Sequence, residues 1–207
     1  IEGIEVVRGP ASALFGDGAV GGVINLISAN NAPEGGFWDL SIGEPRSFRG
    51  SVRTVGNLAG RPVTGFAGVR RIQGYRNNAA RTVGNAGARV DIVSRERSSL
   101  SLSAHWMWRD VQRPGPRPEP KVEADPRPIE IFYSYDGTQA WLARADLDGS
   151  IELSPGSQIS SVLSTEVARQ GEIRTVQPSL DKGYTKERFL DTNRLFGTIK
   201  LEKKDLG

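Results

Sequence analysis

Long runs of residues alternate between apolar and polar with a period of two, and this restricts the chain to β-structure more firmly than any other feature. Leu100, Leu102, Ala104, Trp106 and Trp108 stand against Ser99, Ser101, Ser103, His105 and Met107. Trp38, Leu40 and Ile42 alternate with Phe37, Asp39 and Ser41, and Trp141, Ala143, Ala145 and Leu147 with Arg144, Asp146 and Asp148. Ala86, Ala88, Val90 and Ile92 oppose Asn85, Gly87, Arg89 and Asp91, and Leu195, Ile199 and Leu201 oppose Arg194, Thr198 and Lys200. Strand side chains alternate between faces, whereas helical ones recur every 3.6 residues, so the pattern predicts strands. Residues 62–72, interrupted by Arg70-Arg71, and 157–170 alternate less cleanly. The count is about eight strands, many longer than the usual 5–6 residues or so. Their length approaches the roughly 9–11 residues of a tilted membrane strand.

Alternation alone also suits a soluble sandwich, so composition and connections matter. Hydrophobic residues make up 37% and glycines number 25, which is a poor stock for a compact aqueous core. The longest apolar run is Ala140 to Ala143, far short of the roughly 18 residues of a membrane helix. There is no cysteine, which excludes disulfides, thiol chemistry and Cys-ligated zinc. The single histidine, His105, disfavours a His-ligated metal or a Ser-His-Asp triad, and reads as a wall residue on a polar strand face. Lys+Arg at 27 and Asp+Glu at 24 nearly balance, so no nucleic-acid partner is indicated. The chain opens Ile1-Glu2-Gly3 without a signal peptide and ends just after a strand-like run, and is read as an internal piece of a longer protein.

The predicted connections are Glu44-Pro45, Asn57 to Arg61, 74–81, 94–98, 111–138, Ser154 to Ser157 and 171–188. After the first hairpin, short and long alternate, which puts the long ones on one side. Outer-membrane barrels do this. The 111–138 excursion holds Pro114, Pro116, Pro118, Pro120, Pro126 and Pro128, which block helix and ladder alike. Trp38, Trp106, Trp108 and Trp141 on the apolar face suit either a sandwich core or the aromatic girdle of a membrane barrel, and the loop asymmetry favours the girdle.

Residues 1–31 differ. Ile4-Glu5-Val6-Val7 is β-like, Pro10 can open one or two helical turns over Ala11 to Phe15, and Val23 to Ser28 is β-like again. Gly16-Asp17-Gly18-Ala19-Val20-Gly21 fits G-x-G-x-x-G, but the helical turn precedes the glycines and a strand follows, the reverse of a dinucleotide site.

The whole stretch Ile4-Glu5-Val6-Val7-Arg8-Gly9-Pro10 through Phe15-Gly16 to Gly21-Gly22-Val23-Ile24-Asn25 closely resembles the end of the plug domain of TonB-dependent outer-membrane receptors. Phe15 stands where Tyr is common and Ser28 where Thr is common. The resemblance implies an all-β protein: residues 1–31 would be the C-terminal segment of a plug, and 32–207 the N-terminal strands of an antiparallel membrane β-barrel of about 22 strands. It further implies a place in the cell outer membrane, contact with its lipid, and active, non-enzymatic uptake of an extracellular ligand such as a siderophore or other metal chelate. No cofactor is implied. The implied partners are that small ligand and the TonB energy-transducing complex, reached through an upstream region. By the same resemblance Phe15 would face the ligand, and Glu5 and Arg8 would make plug–barrel ionic contacts. A small passive outer-membrane barrel would explain the alternation but not residues 1–28, and a soluble nucleotide-binding enzyme is the remote alternative.

Overall fold

The computed structural model describes residues 3–10, 19–27, 33–44, 46–115, 136–179 and 182–203. Phe15 and the expected helical turn fall outside them. The chain divides into two compact units, Ile1–Glu34 and Gly35–Gly207.

The first unit holds an antiparallel pair, β1 (Gly3–Arg8) and β2 (Gly22–Ile27), in register from Gly3 opposite Ile27 to Arg8 opposite Gly22. A dinucleotide-binding unit needs parallel strands joined by a crossover helix, so this pairing removes the nucleotide-binding alternative. Gly22 is required: its φ is +144°, and a Cβ there would stand 2.6 Å from the Val7 carbonyl oxygen.

The second unit is one antiparallel sheet of eight strands in chain order. They are β3 (Gly35–Gly43), β4 (Ser47–Leu58), β5 (Arg61–Ile72), β6 (Arg81–Arg95), β7 (Ser98–Gln112), β8 (Gly137–Ser154), β9 (Ser157–Ser179) and β10 (Lys182–Lys203). The two weakly patterned segments are therefore full strands. Two-residue turns join β4 to β5, β6 to β7 and β8 to β9, all at one end. Ala59 and Gly60 both take positive φ, 53° and 78°, as a tight hairpin turn demands. In the β8–β9 turn Pro155 has its φ fixed by its ring, and Gly156 adopts +79°. The opposite end carries the connections 73–80 and 113–136.

One expected loop is absent. Over 171–188, β9 and β10 continue as a ladder with Thr175 opposite Thr185 and Glu172 opposite Arg188. Ile173, Val176 and Tyr184 stand isolated among charged and polar residues in this stretch of sequence, so no apolar alternation marked it. Its register slips beside Pro178, where a bulge tolerates the missing N–H. A second correction concerns Ile92. It is a bulge in β6, and Val93 continues the apolar row opposite Leu100.

Register joins the strands' apolar residues into one continuous face. Val63, Val90, Leu102, Leu147 and Leu163 form one row across β5 to β9. The four tryptophans share this face and two adjacent rows, with Trp38 and Trp106 in one, and Trp108 opposite Trp141 in the next. Nothing in the described residues covers it: Trp38, Ile42 and Ile199 are each 81% exposed. The only buried hydrophobic residues described are Ala19 and Ala80, whereas Ser101, Ser103, Asp146 and Ser164 on the polar face are buried. The sheet is thus inside-out relative to a sandwich.

Two outcomes follow. In the whole protein in lipid vesicles, Leu102→Arg near the middle of β7 should destabilise by about 2–4 kcal/mol in urea unfolding. Met107→Arg on the other face should change stability by about 1 kcal/mol or less. The second concerns the sheet edges. Among the described residues β3 and β10 each bond on one side only and not to each other, so the eight strands do not close. Open edges are not tolerated in lipid. The 207-residue chain expressed alone should aggregate, with no heat-modifiable gel band; a stable band would count against the apolar face being a membrane face.

Candidate functional site

The end carrying 73–80 and 113–136 is tied into a rim by polar side chains from these two connections and from β7 and β9. Asn78 sits at φ 54°, a left-handed conformation that asparagine tolerates. Its side-chain amide donates to the Arg113 carbonyl at 2.9 Å and to the Asp136 carbonyl at 3.1 Å. Arg76 donates through Nη1 to the Gly115 carbonyl at 2.8 Å and through Nη2 to the Pro114 carbonyl at 3.4 Å. Gln112 and Ala80 exchange two bonds, through the Gln112 amide and its side-chain carbonyl. Asp136, buried, accepts at Oδ1 from both the backbone N–H and the hydroxyl of Thr175, at 2.8 and 2.7 Å. The flanks of the Pro-rich excursion are thereby fastened to the β5–β6 loop on one side and to β9 on the other. Arg76 Nε and Thr138 Oγ1 are buried with no partner among the described residues. Buried polar atoms are normally paired, so each has capacity for one more polar group.

Glu172 anchors the same rim. It lies on the loop side of Trp141, three residues past Arg169, which Trp141 faces in register. It pairs with Arg113 and, at 2.8 Å, with Arg174. The Arg174 hydrogen bond above all, joined by Arg113, holds its carboxyl below the ordinary 4.5, against desolvation that would raise it.

Below the rim the polar face carries a second cluster. Arg144 Nε lies 2.7 Å from Asp146 Oδ1, which also accepts from the fully buried Ser164 hydroxyl. The Arg144 guanidinium lies 5.0 Å from the Phe196 ring centroid. Arg194 and Glu166 pair at 3.8 Å. His105 is on this face too, its ring 6.0 Å from Phe66, whose own ring occupies the space above Gly87. A Cβ on Gly87 would meet Phe66 at 2.6 Å. Among the described residues no cluster of His, Asp and Glu is arranged to hold a metal ion.

Of the residues singled out from sequence, Glu5 and Arg8 lie on β1, and both are exposed. Glu5 accepts a hydrogen bond from the Asn25 side chain, its register partner, at 3.0 Å. Arg8 makes no ion pair among the described residues. The rim residues Asn78, Arg113, Asp136, Glu172 and Thr175 were not anticipated, because their contacts join positions 35 to 59 residues apart. The proline cluster of 111–138 was the only sequence signal near them.

No protein-family model matches the chain. It is 50% identical to the ferrienterobactin receptor of Escherichia coli K12 over 46 residues, which are 22% of this chain and 6% of that one. It is 37% identical over 83 residues, 39% of this chain and 11% of the relative, to the probable TonB-dependent siderophore receptor PirA of Acinetobacter baumannii. Over these segments the chain is similar to TonB-dependent siderophore receptors. Solved structures with the same fold include the ferric-catecholate import receptor Fiu of E. coli K12 in its open form. That match has a TM-score of 0.73 and 14% identity, over 96% of this chain and 35% of the other. The ferripyoverdine receptor of the Pseudomonas aeruginosa outer membrane has a TM-score of 0.66 and 16% identity, over 95% and 29%. The chain spans only part of the length of each relative. These relatives and structural neighbours are outer-membrane TonB-dependent receptors. The chain is all-β, and its eight strands have the fold of a receptor barrel wall, left open among the described residues.

The rim should loosen in a defined way. Asp136→Ala in the whole receptor removes two hydrogen bonds to a buried charged acceptor, worth about 1.5–3 kcal/mol each. Hydrogen exchange in 73–80 and at 174–176 should accelerate at least tenfold. The acid response has a definite sign. A carboxyl held below its ordinary value contributes support that is complete above that value and disappears as pH falls through the lowered one. Rim protection, corrected for intrinsic rates, should therefore be flat from pH 7 down to the ordinary Glu range and fall below it. Glu172→Gln should remove that step.

Proposed function

We propose that the whole protein takes up an extracellular ligand across the outer membrane, the ligand being a ferric siderophore or another metal chelate. Uptake draws on energy transmitted by the TonB complex, and no bond is made or broken. The observation that carries this reading is the coincidence, in one chain, of the Ile4 to Ser28 pattern with an open barrel wall of the siderophore-receptor fold. The relatives matched by sequence are receptors for ferric chelates by name, and none is named as an enzyme.

In this reading residues 1–31 are the end of the plug and 32–207 the first strands of the barrel. The apolar face with its tryptophans meets lipid, and the polar face lines the lumen. The rim orders the bases of the extracellular loops, so that ligand meets a preformed mouth. Phe15 faces the ligand from the plug. Glu5 and Arg8 contact the inner wall. The exposure of Arg8 and its lack of an ion pair among the described residues support this, because a charge held inside a barrel requires a partner.

The test uses the natural host with its own gene replaced. Deletion should abolish accumulation of radiolabelled ferric chelate under iron limitation, and the gene should restore it only while the inner membrane is energised. Arg8→Ala should leave chelate binding at the cell surface intact and reduce energised accumulation severalfold. Wild-type accumulation in the deletion strain would remove the reading. Wild-type transport by Arg8→Ala would remove only the role of Arg8.

A further inference from the structure

The arginines of the polar face fall into two populations. One population, between the middle of β6 and β10, is paired: Arg89 with Asp91 at 3.1 Å, Arg144 with Asp146 at 2.7 Å and Arg194 with Glu166 at 3.8 Å, while Arg188 near the start of β10 has no ion pair among the described residues. Arg109 donates to Gln170 at 3.1 Å. On β4 to β6 they are not. Arg49, Arg53, Arg70 and Arg81 line one hollow of ≈ 540 Å³, whose only carboxylate is Asp39. Asp39 lies 3.8 Å from Arg49. Arg53, Arg70 and Arg81 have no ion pair or side-chain hydrogen bond among the described residues, and all three are exposed.

Register arranges these guanidinium groups in order. Arg81 stands at the start of β6, beside Ile72 and directly under the β5–β6 loop. One row inward, Arg70 is opposite Arg49. Ser51 and Asn85, two neutral hydrogen-bonding residues, occupy the next row through Gly68. In the row after that Arg53 stands between Phe37 and Phe66. Rows are two residues apart, so the series descends about 20 Å from the rim toward the middle of the wall. A solvated face needs no such order, and the paired half of the same sheet shows how this chain neutralises a guanidinium it keeps for structure. Guanidinium groups fork onto carboxylates and other planar anions, and two phenyl rings beside the innermost one offer a stacking surface.

We propose that Arg81, Arg70 and Arg53 form an anion ladder on the inner wall, which receives a small, planar, multiply charged anion beneath the loop rim and passes it inward. This rests on the reading of the polar face as lumenal and adds a ligand class and a path to it. Successive sites of moderate affinity lower the barrier to inward movement of an anion.

The test uses the whole receptor in detergent micelles and the fluorescent trisulfonate pyranine as probe. Pyranine should bind, and binding should weaken as salt rises, because the attraction is electrostatic. Arg53→Gln, Arg70→Gln and Arg81→Gln should each weaken it by about tenfold, as expected for loss of one charge-assisted hydrogen bond, and the triple variant should abolish it. Arg53→Lys, which keeps the charge, should retain part of it. Arg95→Gln, at the far end of β6, controls for net charge and should bind as wild type. Neutral 1-hydroxypyrene should not respond to the three substitutions. Absence of pyranine binding, or equal binding by the triple variant with an unchanged heat-modifiable gel band, overturns the ladder. Should pyranine fail to bind while the triple variant loses thermal stability, the arginines pair with carboxylates of the receptor itself, which also overturns it. Chelate accumulation in cells reads the uptake proposal separately: loss of that reading leaves pyranine binding standing, and loss of the ladder leaves energised accumulation of a neutral chelate standing.

Discussion

Everything in the second unit depends on one constraint: a single sheet with no protein layer against its apolar face. The rows of Leu, Val and Trp that would form the core of a sandwich are half-exposed or exposed among the described residues, Trp38 most of all. Internal burial therefore contributes little, and the antiparallel ladder holds the strands in place. In lipid such a ladder is strong, because hydrocarbon offers no alternative partner for N–H and C=O groups. The same argument makes the free sides of β3 and β10 the weakest features of the isolated sheet.

With no core to organise it, the polar face organises itself by charge. Small residues, Ser101, Ser103 and Ser164, are buried there beneath longer neighbours, and Asp146 is held by Arg144 and Ser164 together. Toward the loop end the device changes from ion pairs to side-chain bonds onto loop backbone. Asn78 and Arg76 bind carbonyls at the base of the Pro-rich excursion, where the described flanks also share a backbone bond from the Arg113 N–H to the Asp136 carbonyl. Proline supplies stiffness but no donor. Neighbouring side chains therefore have to anchor the excursion, and Asp136 does the same toward β9 through Thr175.

The uneven distribution of partners along this face separates structural from available charge. Where an arginine serves packing, a carboxylate lies within reach on its own or the adjacent strand. Where three arginines share one hollow without carboxylates of their own, the wall carries a positive potential that only an incoming anion or another part of the receptor can neutralise.

By itself the sequence determined the faces of the strands. Period-two alternation placed Leu102 and Trp106 on one side and Ser103 and His105 on the other, and the short connections at one end were readable at Asn57 to Arg61, 94–98 and Ser154 to Ser157, which the structure tightens to two-residue turns. The residues from Ile4 to Ser28 carried the family resemblance, because a fixed spacing of Gly, Pro and Asn is a local property. Tertiary structure decided the rest. The polar arm of β9 and β10 pairs through backbone and leaves no apolar period to read, and the bulge at Ile92 shifts a face by one residue without altering composition. The rim joins Asn78 to Asp136 and Arg113 to Glu172, contacts 58 and 59 residues apart. Arg89–Asp91 and Arg144–Asp146 pair two residues apart along one strand, whereas Arg194–Glu166 and Arg113–Glu172 are set by cross-strand register and are invisible until the strands are laid side by side. Side-chain alternation and pairs within a strand are written along the chain, whereas pairing between strands depends on distances across it, and only folding fixes those distances.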